Sequence, residues 1–190
     1  MNNVRVGFAL CGSYCTFAKV IPVIEKLVSE GASVTPIMSE NAYSTDTRFG
    51  KAEEHIKKIE SICNKKIISS IKEAEPIGPK KLLDILIIEP CTGNTLGKLA
   101  NGITDTSVTM AAKAHLRNNR PVLIAVSTND GLSTSAKNIG ILHNQQNIFF
   151  VPYSQDDPLT KECSLVANFD KTIVAMHNAL ENRQIQPIIL

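Results

Sequence analysis

Residues Ile85 to Lys113 constrain the fold of this chain more than any other stretch. Ile85 to Ile88 is a β-branched and aliphatic run between a charged residue and a proline, as expected of a strand buried on both faces of a parallel sheet. Glu89-Pro90 is expected to end the pairing, because proline has no backbone donor. Cys91-Thr92-Gly93-Asn94-Thr95 then forms a loop of small side chains around a flexible glycine. Ligands of open α/β sheets bind outside the carboxyl ends of the strands, so hydroxyls and an amide there suit a phosphate or carboxylate cradle. Composition alone equally allows a capped turn in which Thr92 and Asn94 satisfy only their own backbone.

The same alternation runs through the chain. Strands are expected at Val4–Leu10, Ser33–Met38, Ile85–Ile88, Val122–Val126 and Ile148–Val151. Helices follow at Phe17–Val28 (ended by Gly31), Lys51–Lys66, Thr104–Arg117 and Leu132–Leu142, and a last amphipathic helix carries Val166, Phe169, Ile173, Met176 and Leu180. Pro22 predicts a kink or a late start in the first helix, and Ile67–Lys81 reads as mostly irregular. Strands alternating with helices give a three-layer α/β fold: a parallel Rossmann-like or flavodoxin-like sheet with helices on both faces. At 190 residues and 43% hydrophobic content, one domain over 1–190 is expected.

Composition narrows the function classes. Twenty basic and eighteen acidic residues give a formal charge of +2, too balanced for a nucleic-acid footprint. No apolar run approaches the ~20 residues of a membrane-spanning helix. Met1-Asn2-Asn3 leads into the first strand without a signal-peptide pattern, so a cytoplasmic protein without membrane contact is expected. The five cysteines form no CxxC pair and no repeated metal spacing, and reduced thiols are the default, with no metal site expected. Cys11 and Cys91 both follow predicted strands, which brings them to the same region.

Small polar turns recur at the expected carboxyl edge. Cys11-Gly12-Ser13 follows the first strand, Ser39-Glu40-Asn41-Ala42 the second, and Ser127-Thr128-Asn129-Asp130-Gly131 the fourth. Each is either a ligand turn or a plain helix cap. Arg48, in the polar stretch Tyr43–Gly50, is either a bidentate partner for a carboxylate or an ordinary solvated arginine. His55 lies on a charged helix and reads as a surface group.

Pro90 to Thr95, with Lys98 and Asn101-Gly102-Ile103-Thr104-Asp105, resembles the PASANT loop and G-x-x-D segment of the homo-oligomeric FMN-containing cysteine decarboxylase family. The resemblance implies that Thr92, Asn94 and Thr95 contact flavin or substrate, with Asn94 at the position that handles a substrate carboxylate. It implies that Gly12 and Ser13 meet the FMN phosphate and that Ser39 gives a hydroxyl to the flavin. Ser127 heads a divergent form of the family's A-M-N loop and joins the anion-cradle candidates. Cys91, Thr92 and Gly93 replace alanine, serine and alanine. The methionine-rich decarboxylase signature is missing and His55 does not match the family's histidine motif, which weighs against standard decarboxylation of a cysteine-containing substrate.

Further segments, among them Thr47-Arg48-Phe49-Gly50, Pro152-Tyr153 and Gln186-Pro187-Ile188, resemble a branch of this family found in spore formers. That branch implies one half of a two-component oxidoreductase that aromatises a dihydrodipicolinate-type precursor to pyridine-2,6-dicarboxylate during sporulation. Its partner would be the nicotinamide-binding A subunit of the same enzyme, carrying NAD(P). Arg48 is then a candidate for a substrate carboxylate, and the family implies a homo-oligomer, a trimer or a multiple of trimers. A decarboxylase and a non-catalytic binding protein stand as alternatives.

Overall fold

The computed structural model describes residues 3–190; Met1 and Asn2, which begin the polar lead-in to the first strand, lie outside them. Five parallel strands form the centre: β1 (Arg5–Leu10), β2 (Ser33–Met38), β3 (Ile85–Cys91), β4 (Val122–Thr128) and β5 (Ile148–Phe150). They lie in the order β2-β1-β3-β4-β5, the flavodoxin-like winding in which the strand order reverses between β1 and β3. Every residue of β3 is buried, as its continuous apolar sequence requires of a central parallel strand. Pro36 is tolerated because β2 is the outermost of these parallel strands. A single bridge between Ile37 and Ile68 reaches its outer side.

Helices cover both faces. Helices α1 (Phe17–Ser29) and α8 (Thr172–Leu180) pack together and on β3, with α3 (Ala52–Cys63) beside α1 at the β2 edge. Helices α5 (Gly93–Ala100), α6 (Ser107–Leu116) and α7 (Ala136–His143) pack on one another and on the strands. Pro22 lies on the exposed side of α1, which runs through it from Phe17 and so does not start late. Ile67–Lys81 is less irregular than expected: Ser70 and Glu73 form a reciprocal capping box that starts the short helix α4 (Ile71–Ala74).

Three expectations are corrected. Pairing does not stop at Glu89-Pro90: β3 continues to Cys91, which pairs with Val126, and the register shift between Ile88 and Cys91 absorbs the proline. Two antiparallel strands, β6 (Tyr153–Gln155) and β7 (Leu165–Ala167), extend the sheet, with β7 pairing the carboxyl end of β4. Val166 and Phe169 therefore precede the last helix, which begins at Thr172. Val166, half-buried in β7, and Phe169, in the 3-10 turn after it, fall by their spacing alone in line with Ile173 and Met176, so periodicity did not separate them.

Glu89 is the polar exception within β3. It is fully buried; Thr172 Oγ1 donates to its Oε2 at 2.7 Å, and its Oε1 has no partner among the described residues. Burial pushes its carboxyl up from 4.5 to about 8, against the opposing effect of the Thr172 bond. A carboxyl raised on folding contributes stability below its unfolded value and loses it as pH rises toward the folded value. Wild type is thus expected to lose stability relative to Glu89→Gln between pH 5 and 8, on the order of 3 kcal/mol at pH 7. Urea unfolding of both proteins across that range checks this. Taking the difference cancels His115, which burial holds neutral down to about 4 and which slopes the opposite way.

Candidate functional site

At the switch point between β1 and β3, the loops leaving β1, β2 and β3 enclose a cavity of about 470 Å³. Gly12, Ser39, Thr92, Asn94 and Thr95, all singled out from the sequence, line it. Their convergence follows from parallel winding, which sends the carboxyl ends of these strands to one edge. Thr92 is the N-cap of α5 and Ser39 that of α2 (Glu40–Ser44), where its side chain accepts from Ala42 N at 3.3 Å. Gly93, Asn94 and Thr95 therefore form the first turn of a helix, not the loop expected from their composition. The first amides of a helix lack acceptors within it, which equips this edge for an anion.

Ser13 and Ser127 are also brought together, outside the cavity lining. Their hydroxyls lie 2.8 Å apart and tie the β1 turn to the end of β4. Arg48 is in an exposed loop with its guanidinium 4.8 Å above the Phe49 ring, and it does not line the cavity of its own chain. His55 is half-buried, not a surface group: its ring meets Phe17 edge-on, 5.1 Å between centroids, and its Nε2 has no partner among the described residues.

The cavity also holds residues beyond the individually named candidates. The Tyr14 hydroxyl donates to Asn41 O at 2.9 Å, bracing the β1 turn against α2. Glu40 accepts from Ser107 N at the start of α6 at 2.9 Å. Thr106 has a local signal, since it caps α6 through Thr109 three residues on; Tyr14 has none, and its contact with Asn41 joins separate loops. Lys98 and Asp105 form an ion pair at 2.8 Å within the lining. Cys11 N donates to Pro90 O, setting β1 beside the end of β3, and Thr95 Oγ1 lies 3.2 Å from Cys11 Sγ. Burial pushes the Cys11 thiol up to about 11 and raises the Cys91 thiol well above its ordinary value, so both are protonated at neutral pH and neither is an activated nucleophile.

Glycine at 93 has a packing reason. A Cβ on Gly93 would lie 2.7 Å from each of Thr128 Oγ1, Asp130 Oδ1 and Ser135 Oγ. The loop after β4 thus occupies the space an alanine methyl would need. Gly12 differs: a Cβ there would meet only the Tyr14 ring at ordinary contact distance, 3.5 Å. The donors facing the cavity, hydroxyls of Ser39, Thr92, Thr95 and Thr106, the Asn94 amide and the Lys98 ammonium, fit a ligand bearing phosphate or carboxylate.

An α/β sheet wound in this order, with a polar cavity at its switch point, defines a nucleotide- or flavin-type binding fold. The Flavoprotein family matches residues 1–181, and the chain belongs to that family. It is 50% identical over 190 residues to the dipicolinate synthase B subunit of Bacillus subtilis (strain 168), covering all of this chain and 95% of the relative. The crystal structure of the dipicolinate synthase B subunit from Bacillus halodurans superposes with a TM-score of 0.91 at 44% identity, over 100% of this chain and 98% of the other. The FMN-dependent cysteine decarboxylase SpaF shares the fold, with a TM-score of 0.67 at 21% identity over 93% of this chain and 97% of that one.

Gly93→Ala is expected to destabilise the protein by about 1–3 kcal/mol, since three oxygens must move to admit one methyl. A lower urea midpoint with an unchanged denaturant slope is the readout.

Proposed function

We propose that this chain is the B subunit of a dipicolinate synthase, a single flavoprotein-like domain acting with the dipicolinate synthase A subunit to oxidise a dihydrodipicolinate to dipicolinate. The observation that carries this reading is the full-length similarity to two dipicolinate synthase B subunits. The cavity supports it, because its hydroxyls, amide and ammonium suit carboxylates. Aromatising the dihydropyridine removes a hydride equivalent and a proton, and the two carboxylates leave unchanged. A nicotinamide cofactor held by the A subunit would supply the oxidising equivalent for that hydride.

FMN, if bound, would accept a hydride equivalent; membership of the Flavoprotein family supports such a group here. Gly12, Ser13, Ser39 and Ser127 would hold its phosphate. Thr92, Asn94 and Thr95 would meet the ring or the substrate, and Asn94 would donate to a substrate carboxylate. Arg48 lies on an exposed loop, and in a homo-oligomeric assembly it would reach a carboxylate in a neighbouring copy. The soluble, cytoplasmic setting is supported by the absence, among the described residues, of a helix long and apolar enough to cross a membrane.

The test is dipicolinate formation from the precursor and a nicotinamide cofactor by the A subunit, by this chain and by the mixture, with and without FMN. Product only in the mixture is expected. No product in any arm, with folded proteins and a verified precursor, overturns the reading; carbon dioxide release from a cysteine substrate would install the decarboxylase instead. In the active mixture Asn94→Ala is expected to raise KM roughly ten- to a hundredfold, the scale of one hydrogen bond to a charged group.

A further inference from the structure

Lys98 is the one cation lining the cavity among the described residues, and it is already engaged. Its ammonium is 2.8 Å from Asp105 Oδ1. The two ends of this pair are unequally exposed: the Lys98 side chain is 20% accessible and that of Asp105 57%. The ammonium therefore sits inside and the carboxylate at the rim. Lys98 follows Asn94 by four residues on α5, so both project from one face of the helix a single turn apart. A carboxylate held by Asn94 would lie within a turn of the ammonium.

The wall carries more negative charge than positive. Glu40 and Asp105 contribute two carboxylates against the single Lys98 ammonium. Glu40 has its own fixed partner, Ser107 N at the start of α6. Lys98 holds the Asp105 carboxyl below the usual carboxylate range, so it is ionised at neutral pH. A dianion entering this wall meets net negative charge until Asp105 gives up the ammonium. Asp105 is placed to do so, since it belongs to the linker 101–106 between α5 and α6. The linker backbone is anchored at either side of it, by Ile103 N on Lys98 O at 2.9 Å and Thr106 N on Thr109 Oγ1 at 3.1 Å.

We infer that Asp105 is a built-in competitor for the substrate carboxylate at the Lys98 ammonium, making this pair the selector for carboxylate-bearing ligands in the cavity. The inference rests on the dicarboxylate reading above. Asp105 neutralises Lys98. A bound carboxylate takes its place, and the Asp105 carboxylate turns outward into water, where exposure makes the exchange cheap. The exchange swaps one ion pair for another and transfers no proton.

The experiment measures equilibrium binding of dipicolinate, and of FMN in a parallel arm, to wild type, Asp105→Asn, Asp105→Glu and Lys98→Gln. Thermal melts establish that each is folded. Asp105→Asn is expected to bind dipicolinate roughly two- to fivefold tighter, the scale of a half-exposed ion pair that no longer competes. Asp105→Glu keeps the competitor and is expected to match wild type, while Lys98→Gln is expected to bind about tenfold more weakly. Equal or weaker dipicolinate binding by Asp105→Asn overturns the inference, as does tightening confined to FMN. If the chain forms dipicolinate together with the A subunit but its affinities are the same in all four proteins, the inference alone fails. If neither wild type nor Asp105→Asn binds dipicolinate and no product forms in that mixture, the inference fails together with the functional reading.

Discussion

Parallel pairing of β3 between β1 and β4 is the constraint on which the rest of the structure depends. β3 is buried along its whole length, so its register against both neighbours is set by apolar contact on two faces. That register fixes where Cys91 and Thr92 emerge, hence where α5 begins and which way Asn94 and Lys98 face. The bulge between Ile88 and Cys91 lets the strand pass a proline and still re-pair with Val126. Helix α5 therefore starts at the sheet edge, where its first-turn amides face the same crevice as the turns after β1 and β2.

The loop after β4 is the second support. Thr128 and Asp130, joined by a hydrogen bond, press with Ser135 on Gly93, and Ser127 reaches Ser13 on the turn after β1. Loops separated by more than a hundred residues in the chain thus share one small volume. Glycine at 93 and the polar loop after β4 accommodate one another, since a Cβ at 93 would collide with Thr128, Asp130 and Ser135.

Much of the architecture was legible in the sequence. Apolar runs such as Ile85–Ile88 and Val122–Val126 can be nothing but buried strands at that length when helical segments alternate with them, and the strands so read became the parallel core. Gly12, Ser39, Thr92, Asn94 and Thr95 were legible because parallel winding gathers strand ends at one edge. Less legible were the antiparallel pair β6 and β7, whose three-residue strands are too short to show a period, and α5, whose Gly93 and Asn94 are poor helix formers held by tertiary contacts. The contact of Tyr14 with Asn41 carried no signal, since that hydrogen bond joins two loops that only the fold makes neighbours.

The sequence by itself determined the alternation of strands and helices, the buried character of β3 and the polar chemistry of the strand ends, because these depend on local periodicity and on the side chains present. Tertiary structure alone decided that Ser13 meets Ser127, that Arg48 stands outside the cavity and His55 against Phe17, and that Lys98 is held by Asp105 inside the lining. The physical reason is range. A hydrophobic period is written over a few residues, whereas hydrogen bonds and ion pairs form only after the sheet has brought distant turns within about 3 Å of one another.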